Sequence, residues 1–276
     1  HIYSNDDPDM GRMQAKVEVE TIIKEALKEN RMTLYFQPIY YLETGKISHH
    51  EALIRIIDKN DNLIMPGSFI GMAERFGMIK EIDQWVFSKV VNIISESLAT
   101  DSATTIAINL SGKHIDDSSF HAWMHELLQN NKGVAEHIII ELTETSAVES
   151  LATAKNFIDS MKDQGCRFAL DDFGVGFSSF HYIKNLPVDY IKIDGSFVKN
   201  LHIDEADQVF VRATVDIARS MGIHTIAEYV ENKKIMRILR KLGADFGQGF
   251  YLGEPDIQLS TKTLNLDVYP APIHKR

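Results

Sequence analysis

The chain has 276 residues, a formal net charge of -10, 44% hydrophobic and 25% charged residues, and one cysteine. That balance fits a globular protein with a sizeable core and excludes an internal disulfide. It also argues against general binding of nucleic-acid polymers, which need a basic face, while leaving room for a small anionic substrate where metal ions invert the local charge.

No apolar run approaches the length of a membrane span, and the lone Cys166 fits a reducing compartment. A cytoplasmic domain is therefore expected, in a parent that membrane anchoring would not contradict. The chain starts at His1, and its first ten residues are polar with three aspartates, unlike a signal peptide. A fragment with missing neighbouring domains is expected. Residues 1–13, with Ser4, Asn5, Asp6, Asp7, Pro8 and Gly11, read as a linker. Val17 to Leu27 fits a helical stripe approximately. Met32 to Leu42 reads as a strand, Glu43 to Lys46 as its turn, and Ile47 to about Ile57 as a second strand.

A helix-then-strand rhythm follows. Ile82, Trp85, Val86, Val90, Ile93 and Leu98 give one helical face, and Thr104 to Leu110 is a strand. Phe120, Trp123, Leu127 and Leu128 give a second helix, and His137 to Leu142 a strand. Ser146 and Glu149 have capping-box spacing for a helix carrying Val148, Leu151, Phe157, Ile158 and Met161, with Gly165 as its terminal glycine. Arg167 to Asp172 is a buried strand, as is Tyr190 to Ile193. Asp204 is placed to cap a helix ending at Gly222. Ile223 to Ala227 is a strand, Asn232 to Leu242 a helix closed by Gly243, and Asp245 to Gly247 a short last strand. Apolar strands alternating with amphipathic helices imply parallel strands covered on both faces. Seven or eight such units suggest an α/β chain folded as a (β/α)8 barrel. A doubly wound sheet is the alternative, but no Gly-x-Gly-x-x-Gly follows an early strand.

The chemistry concentrates at strand ends. Asp171 and Asp172 end the central strand and repel unless a proton or cation lies between them. They can serve one site only where the strand ends and the backbone turns. Asn109, Glu141, Lys192, Asp194 and Glu228 end other strands, Gln248 follows the last, and Glu51 lies inside the second. In a barrel these ends converge on one rim. Carboxylates with an Asn carbonyl make an oxygen cage for hard divalent ions. The tandem His49–His50 faces opposite ways in a strand, which favours a structural role. The residues point to a metal-dependent phosphodiesterase or phosphatase, in which a bridging aspartate would permit two metals; an enolase-type or aldolase-type barrel competes.

The segments Glu51-Ala52-Leu53 with Arg55, Asn109-Leu110-Ser111, Glu141-Leu142-Thr143-Glu144, Asp171-Asp172-Phe173-Gly174, Lys192-Ile193-Asp194, Glu228 and Gln248-Gly249-Phe250 follow one another as in the EAL domain family, which the chain resembles from about Leu27 to Pro255. The resemblance implies a TIM-like barrel with an antiparallel first strand. It also implies hydrolysis of cyclic di-GMP to linear 5′-pGpG by a metal-activated water, with one or two Mg2+ or Mn2+ ions and with Ca2+ inhibitory. Glu51, Asn109, Glu141 and Asp171 would hold one metal, and Asp171, Asp172 and Glu228 the second. Lys192 would position the water, Glu228 is the candidate base and Gln248 would support the water network. Gln37, Arg55 and Asp194 resemble substrate contacts, and Glu144 resembles the anchor of the loop after Asp172. Val175 and Ile56 depart from the usual family residues. A non-hydrolysing cyclic di-GMP receptor is the competing class. Residues 1–26 resemble a linker and helix trailing from a GGDEF domain, 27–258 the barrel, and 259–276 a tail. A homodimer is implied. Lys192→Ala is expected to slow turnover while sparing the fold.

Overall fold

The computed structural model describes residues 17, 20–100, 102–176 and 180–265. The expected linker over 1–13 lies outside them, as do Ser178 and Ser179 and the end of the tail. A helix, α1, covers 20–28. Then come β1 (Met32–Tyr41), β2 (Ile47–Ile57), β3 (Leu63–Ile64), α2 (Ile70–Phe76), α3 (Ile79–Ala99), β4 (Ile106–Asn109), α4 (Ser118–Asn130), β5 (Ile138–Thr143), α5 (Glu144–Glu149), α6 (Leu151–Lys162) and β6 (Arg167–Phe173). The last third holds α7 (Phe180–Ile183), β7 (Tyr190–Ile193), α8 (Gly195–Val198), α9 (Glu205–Ser220), β8 (His224–Ala227), α10 (Lys233–Leu242) and β9 (Phe246–Gly247).

Seven strands, β2 and β4 to β9, run parallel in sequence order, and β1 pairs antiparallel with both β2 and β9. The sheet therefore closes as an eight-stranded α/β barrel with a reversed first strand, as expected. β3 lies outside the ring, on the edge of β2.

Strand alternation builds the interior in layers. Ile39, Ala107, Ile139, Ala169, Tyr190, Ile226 and Phe246 form one inner apolar layer, and the ring of His49 packs on Tyr190 and Phe246. Two residues further toward the rim on the same strands stand Gln37, Asn109, Glu141, Asp171, Lys192, Glu228 and Gln248, with Glu51 above His49. Outward positions such as Ile106, Ile108, Ile138, Ile140, Phe168 and Leu170 pack against the helices. The histidine pair divides as expected, since His50 turns out to the Ser260 carbonyl, 3.1 Å away.

Several helix ends match their sequence signals. Asp204 accepts from the Ala206 amide at 2.8 Å, Asn232 accepts from Lys234 at 3.0 Å, and Gly243 closes α10 at φ 82°. The Ser146–Glu149 box is a misreading. Thr143 caps one turn earlier, its hydroxyl accepting from the Ser146 amide at 3.4 Å, because the chain passes from β5 directly into α5. The following α6 starts at Ser150 with no side-chain cap.

Candidate active site

The polar layer meets around one ammonium. Lys192 has no exposed surface. Its Nζ lies 2.8 Å from Glu141 Oε2, 3.0 Å from Glu228 Oε1, 3.1 Å from Asp171 Oδ1 and 3.5 Å from Glu51 Oε2. Burial opposes its charge, but Asp171, Glu141, Glu228 and Glu51 outweigh it and hold its pKa well above the usual lysine value. Amides fix the rest of the ring. Asn109 Nδ2 donates to Glu51 Oε1 at 2.6 Å. Gln248 Nε2 donates to Glu51 Oε2 at 2.6 Å and to Gln37 Oε1 at 3.0 Å.

The Asp171–Asp172 pair sits on a β-bulge. Leu170 pairs with Ile191 and Phe173 with Ile193, so both aspartates stand opposite the single residue Lys192. Asp172 takes φ 54°, in the left-handed region. The bulge is the backbone turn that adjacent strand carboxylates need to share a site. Oxygens of Asp171, Asp172 and Glu228 all come within 4.8 Å of one another.

Four carboxylates thus share one ammonium, with Asp172 beside them, and their protonation reflects the deficit. Burial, then neighbouring Asp171 and Glu51 against the pull of Lys192, raises Glu228 to about 7. Burial raises Glu141 well above the carboxylate range, with Glu51 and Asp171 adding to it. Burial and then the neighbouring Asp171 and Asp194 raise Asp172. Glu51 goes the other way: burial opposes its charge, but Lys192, Gln248 and Asn109 outweigh it and lower the pKa. Glu141 Oε1 is buried with no hydrogen-bond partner among the described residues. An all-oxygen donor set, excess negative charge and an orphaned carboxylate oxygen together fit a hard divalent cation. Asp171, Asp172 and Glu228 bring ligand oxygens close enough to share one ion, while Glu51 and Glu141 gather around Lys192 beside them and Asn109 donates to Glu51.

A cavity of about 370 Å3 opens above this ring, lined among others by Gln37, Glu51, Arg55, Asp172, Asp194, Glu228 and Gln248. The structure therefore brings all the expected substrate contacts to one opening. Arg55 is buried, its guanidinium 5.5 Å above the Tyr35 ring and donating to the Ile54 carbonyl at 2.8 Å. Glu144 stands outside the cavity wall. Its Oε2 accepts from the Gly174 amide at 3.0 Å, which ties the start of the loop after β6.

Two features escaped sequence reasoning. Tyr229 and Glu231 also line the cavity; only their closeness to Glu228 could have flagged them. Behind Asn109, the Ser111 amide donates to Asp83 at 3.1 Å and the Ser111 hydroxyl to Glu74 at 2.7 Å. These contacts span α2, α3 and the β4 exit, so no local spacing announces them.

The sequence profile of the EAL domain matches residues 20–255. The cyclic di-GMP phosphodiesterase PdeB of Shewanella oneidensis is 35% identical over 256 residues, covering 92% of this chain and 30% of that protein. The cyclic di-GMP phosphodiesterase PdeF of Escherichia coli is 34% identical over 249 residues, covering 90% and 33%. The chain spans about a third of the length of these curated relatives. Among solved structures, the PaMucR phosphodiesterase in complex with c-di-GMP matches with a TM-score of 0.80 at 30% identity, covering 87% of this chain and 97% of that one. The FimX EAL domain from Pseudomonas aeruginosa bound to c-di-GMP matches with a TM-score of 0.82 at 26% identity, covering 90% and 100%. With a match over most of its length and the acidic ring of the barrel rim in place, the chain belongs to the EAL domain family.

Proposed function

We propose that the chain hydrolyses cyclic di-GMP to linear 5′-pGpG and lowers the level of this second messenger. The observation that carries the reading is the acidic ring around Lys192 at the floor of a cavity that also holds Arg55. Similar proteins named cyclic di-GMP phosphodiesterases support it. One or two Mg2+ or Mn2+ ions would be held by Glu51, Asn109, Glu141, Asp171, Asp172 and Glu228. Such an ion supplies Lewis acidity and neutralises phosphate charge. Lys192 orients the attacking water and keeps the carboxylates from spreading. Glu228 is the candidate proton acceptor. Arg55 grips a phosphate, with Gln37, Asp194 and Gln248 as further substrate contacts. Ca2+ supports binding without turnover, because its larger and looser coordination misplaces the reacting groups.

The same reading covers the surroundings. The barrel domain is taken as 27–258, with 1–26 trailing from a GGDEF or sensory domain and 259–276 as a tail. A relative named bifunctional diguanylate cyclase/cyclic di-GMP phosphodiesterase MucR supports that context. A homodimer and a cytoplasmic domain complete the proposal; among the described residues no helix is long and apolar enough to cross a membrane. The test is purified chain with cyclic di-GMP and Mg2+, products separated by chromatography. Accumulating 5′-pGpG that EDTA abolishes and Mg2+ or Mn2+ restores is expected. Turnover surviving exhaustive chelation overturns the metal assignment, and binding without turnover makes the chain a receptor.

A further inference from the structure

Tyr229 follows Glu228 in a conformation that suits glycine. Its φ is 50°, a left-handed backbone that is a genuine outlier for a bulky residue. The strain is not slack in a loop. The Glu228 amide donates to Ile193 O at 3.2 Å and the Val230 amide to Gln248 O at 2.9 Å, so the backbone is pinned on both sides. The ring is also held. It lies so close to Gly195 that a β-carbon there would sit 2.1 Å from a ring carbon. Lys199 Nζ stands 3.9 Å from the ring centroid, a cation–π contact. Yet Tyr229 is 49% exposed, and it lines the cavity above the acidic ring. A strained, over-determined side chain that faces a binding cavity is where functional constraint is found. Asp194, Glu228 and Glu231 line the same cavity, and Lys199 sets a positive charge against the Tyr229 ring.

We propose that Tyr229, steadied by Lys199, is a specificity-determining residue: its exposed side bears on a nucleobase of the bound dinucleotide and selects it over diesters lacking a base there. This rests on cyclic di-GMP being the substrate. The role is distinct from the chemistry at Lys192 and predicts a change in KM rather than in kcat.

The test uses Tyr229→Gly, Tyr229→Phe and Lys199→Gln, with cyclic di-GMP and its base-free analogue, the same cyclic sugar-phosphate diester with hydrogen in place of each guanine. Glycine accepts the observed φ, so Tyr229→Gly keeps the fold, which its melting temperature checks. For Tyr229→Gly, KM for cyclic di-GMP rises about tenfold, the scale of losing one base–aromatic contact, and kcat stays within about threefold. Selectivity, the ratio of kcat/KM for the two diesters, falls by about the same factor. Tyr229→Phe restores it, and Lys199→Gln shifts KM in the same direction by less. Unchanged KM in Tyr229→Gly, an equal loss on both diesters, or no rescue by phenylalanine overturns the proposal. A wild-type chain that binds but does not cleave cyclic di-GMP overturns the hydrolytic reading alone, and the variants are then compared by Kd with Ca2+ present. A wild-type chain that does neither overturns both.

Discussion

A lysine with no exposed surface, in reach of four carboxylates, has a structural task beside the water-positioning role proposed for it. Removing one partner from a buried ion pair leaves uncompensated charge and costs about 3–5 kcal/mol. Lys192 compensates Glu51, Glu141, Asp171 and Glu228 together. The sequence-based expectation that Lys192→Ala spares the fold is therefore revised. Lys192→Met should lose turnover by at least about a hundredfold and also lower stability by about 3–5 kcal/mol in EDTA. Urea denaturation of both proteins in EDTA measures the second effect, and equal midpoints would show that the ring does not depend on its ammonium. The spacing of Lys192 from the other motifs identified its neighbourhood, because strand alternation is a local property. Its complete burial was not legible, since that depends on five strands arriving at one radius.

At the scale of elements, the exit of β6 ties the candidate metal site to α5. Glu144 is the first residue of α5 and 4% exposed. A helix-dipole carboxylate in that position would be worth about 0.3–1 kcal/mol and would leave turnover alone. Its bond to the Gly174 amide, two residues from Asp172, gives it a second task. Gly174 itself is left-handed at φ 107°, and a β-carbon there would come within 2.7 Å of Phe197 and Phe210 ring atoms, so the loop leaves the strand along a fixed path. Glu144→Ala should lower turnover at limiting Mg2+ several-fold, recovering at saturating Mg2+, with the melting temperature nearly unchanged. Unchanged turnover at limiting Mg2+ would reduce Glu144 to a dipole carboxylate. Elements were legible where a local residue ends them: Asp204, Asn232 and Gly243 carry their own capping chemistry. They were not legible where tertiary geometry decides. β3 has two residues and no periodicity to read. The Ser146–Glu149 box failed because Thr143, equally able to cap, stood where β5 ends.

Across the whole molecule, the barrel's layering also exposes a weakness to acid. His49 is packed against the apolar layer, with Nε2 lacking a hydrogen-bond partner among the described residues. Burial, then the positive charges of Arg167, His50 and Lys192, pushes its pKa down to about 3, against about 6.5 for a free imidazole. Between those values the unfolded chain binds a proton that the folded chain does not. The residue's contribution is intact above about pH 6.5 and is lost as pH falls toward 3, with a slope approaching about 1.4 kcal/mol per pH unit. His49→Phe should flatten urea stability between pH 6 and pH 4.5 by about one proton's worth; parallel curves for the two proteins would exclude this source. The (β/α)8 class was legible from strand and helix alternation and the reversed first strand from the family resemblance, whereas the register at which the last strands meet was not, because no local signal sets it. They are β1 and β9, and they meet through only two register pairs, Tyr40 with Gly247 and Tyr41 with Phe246. That seam joins segments about two hundred residues apart, a costly contact for a chain to make early. The residue just past it, Gln248, staples the seam through Gln37 and Glu51. Closure of the ring and assembly of the acidic site share these contacts, so on refolding from urea activity is expected to return with the slowest fluorescence phase, and activity recovered in an earlier phase would separate the two.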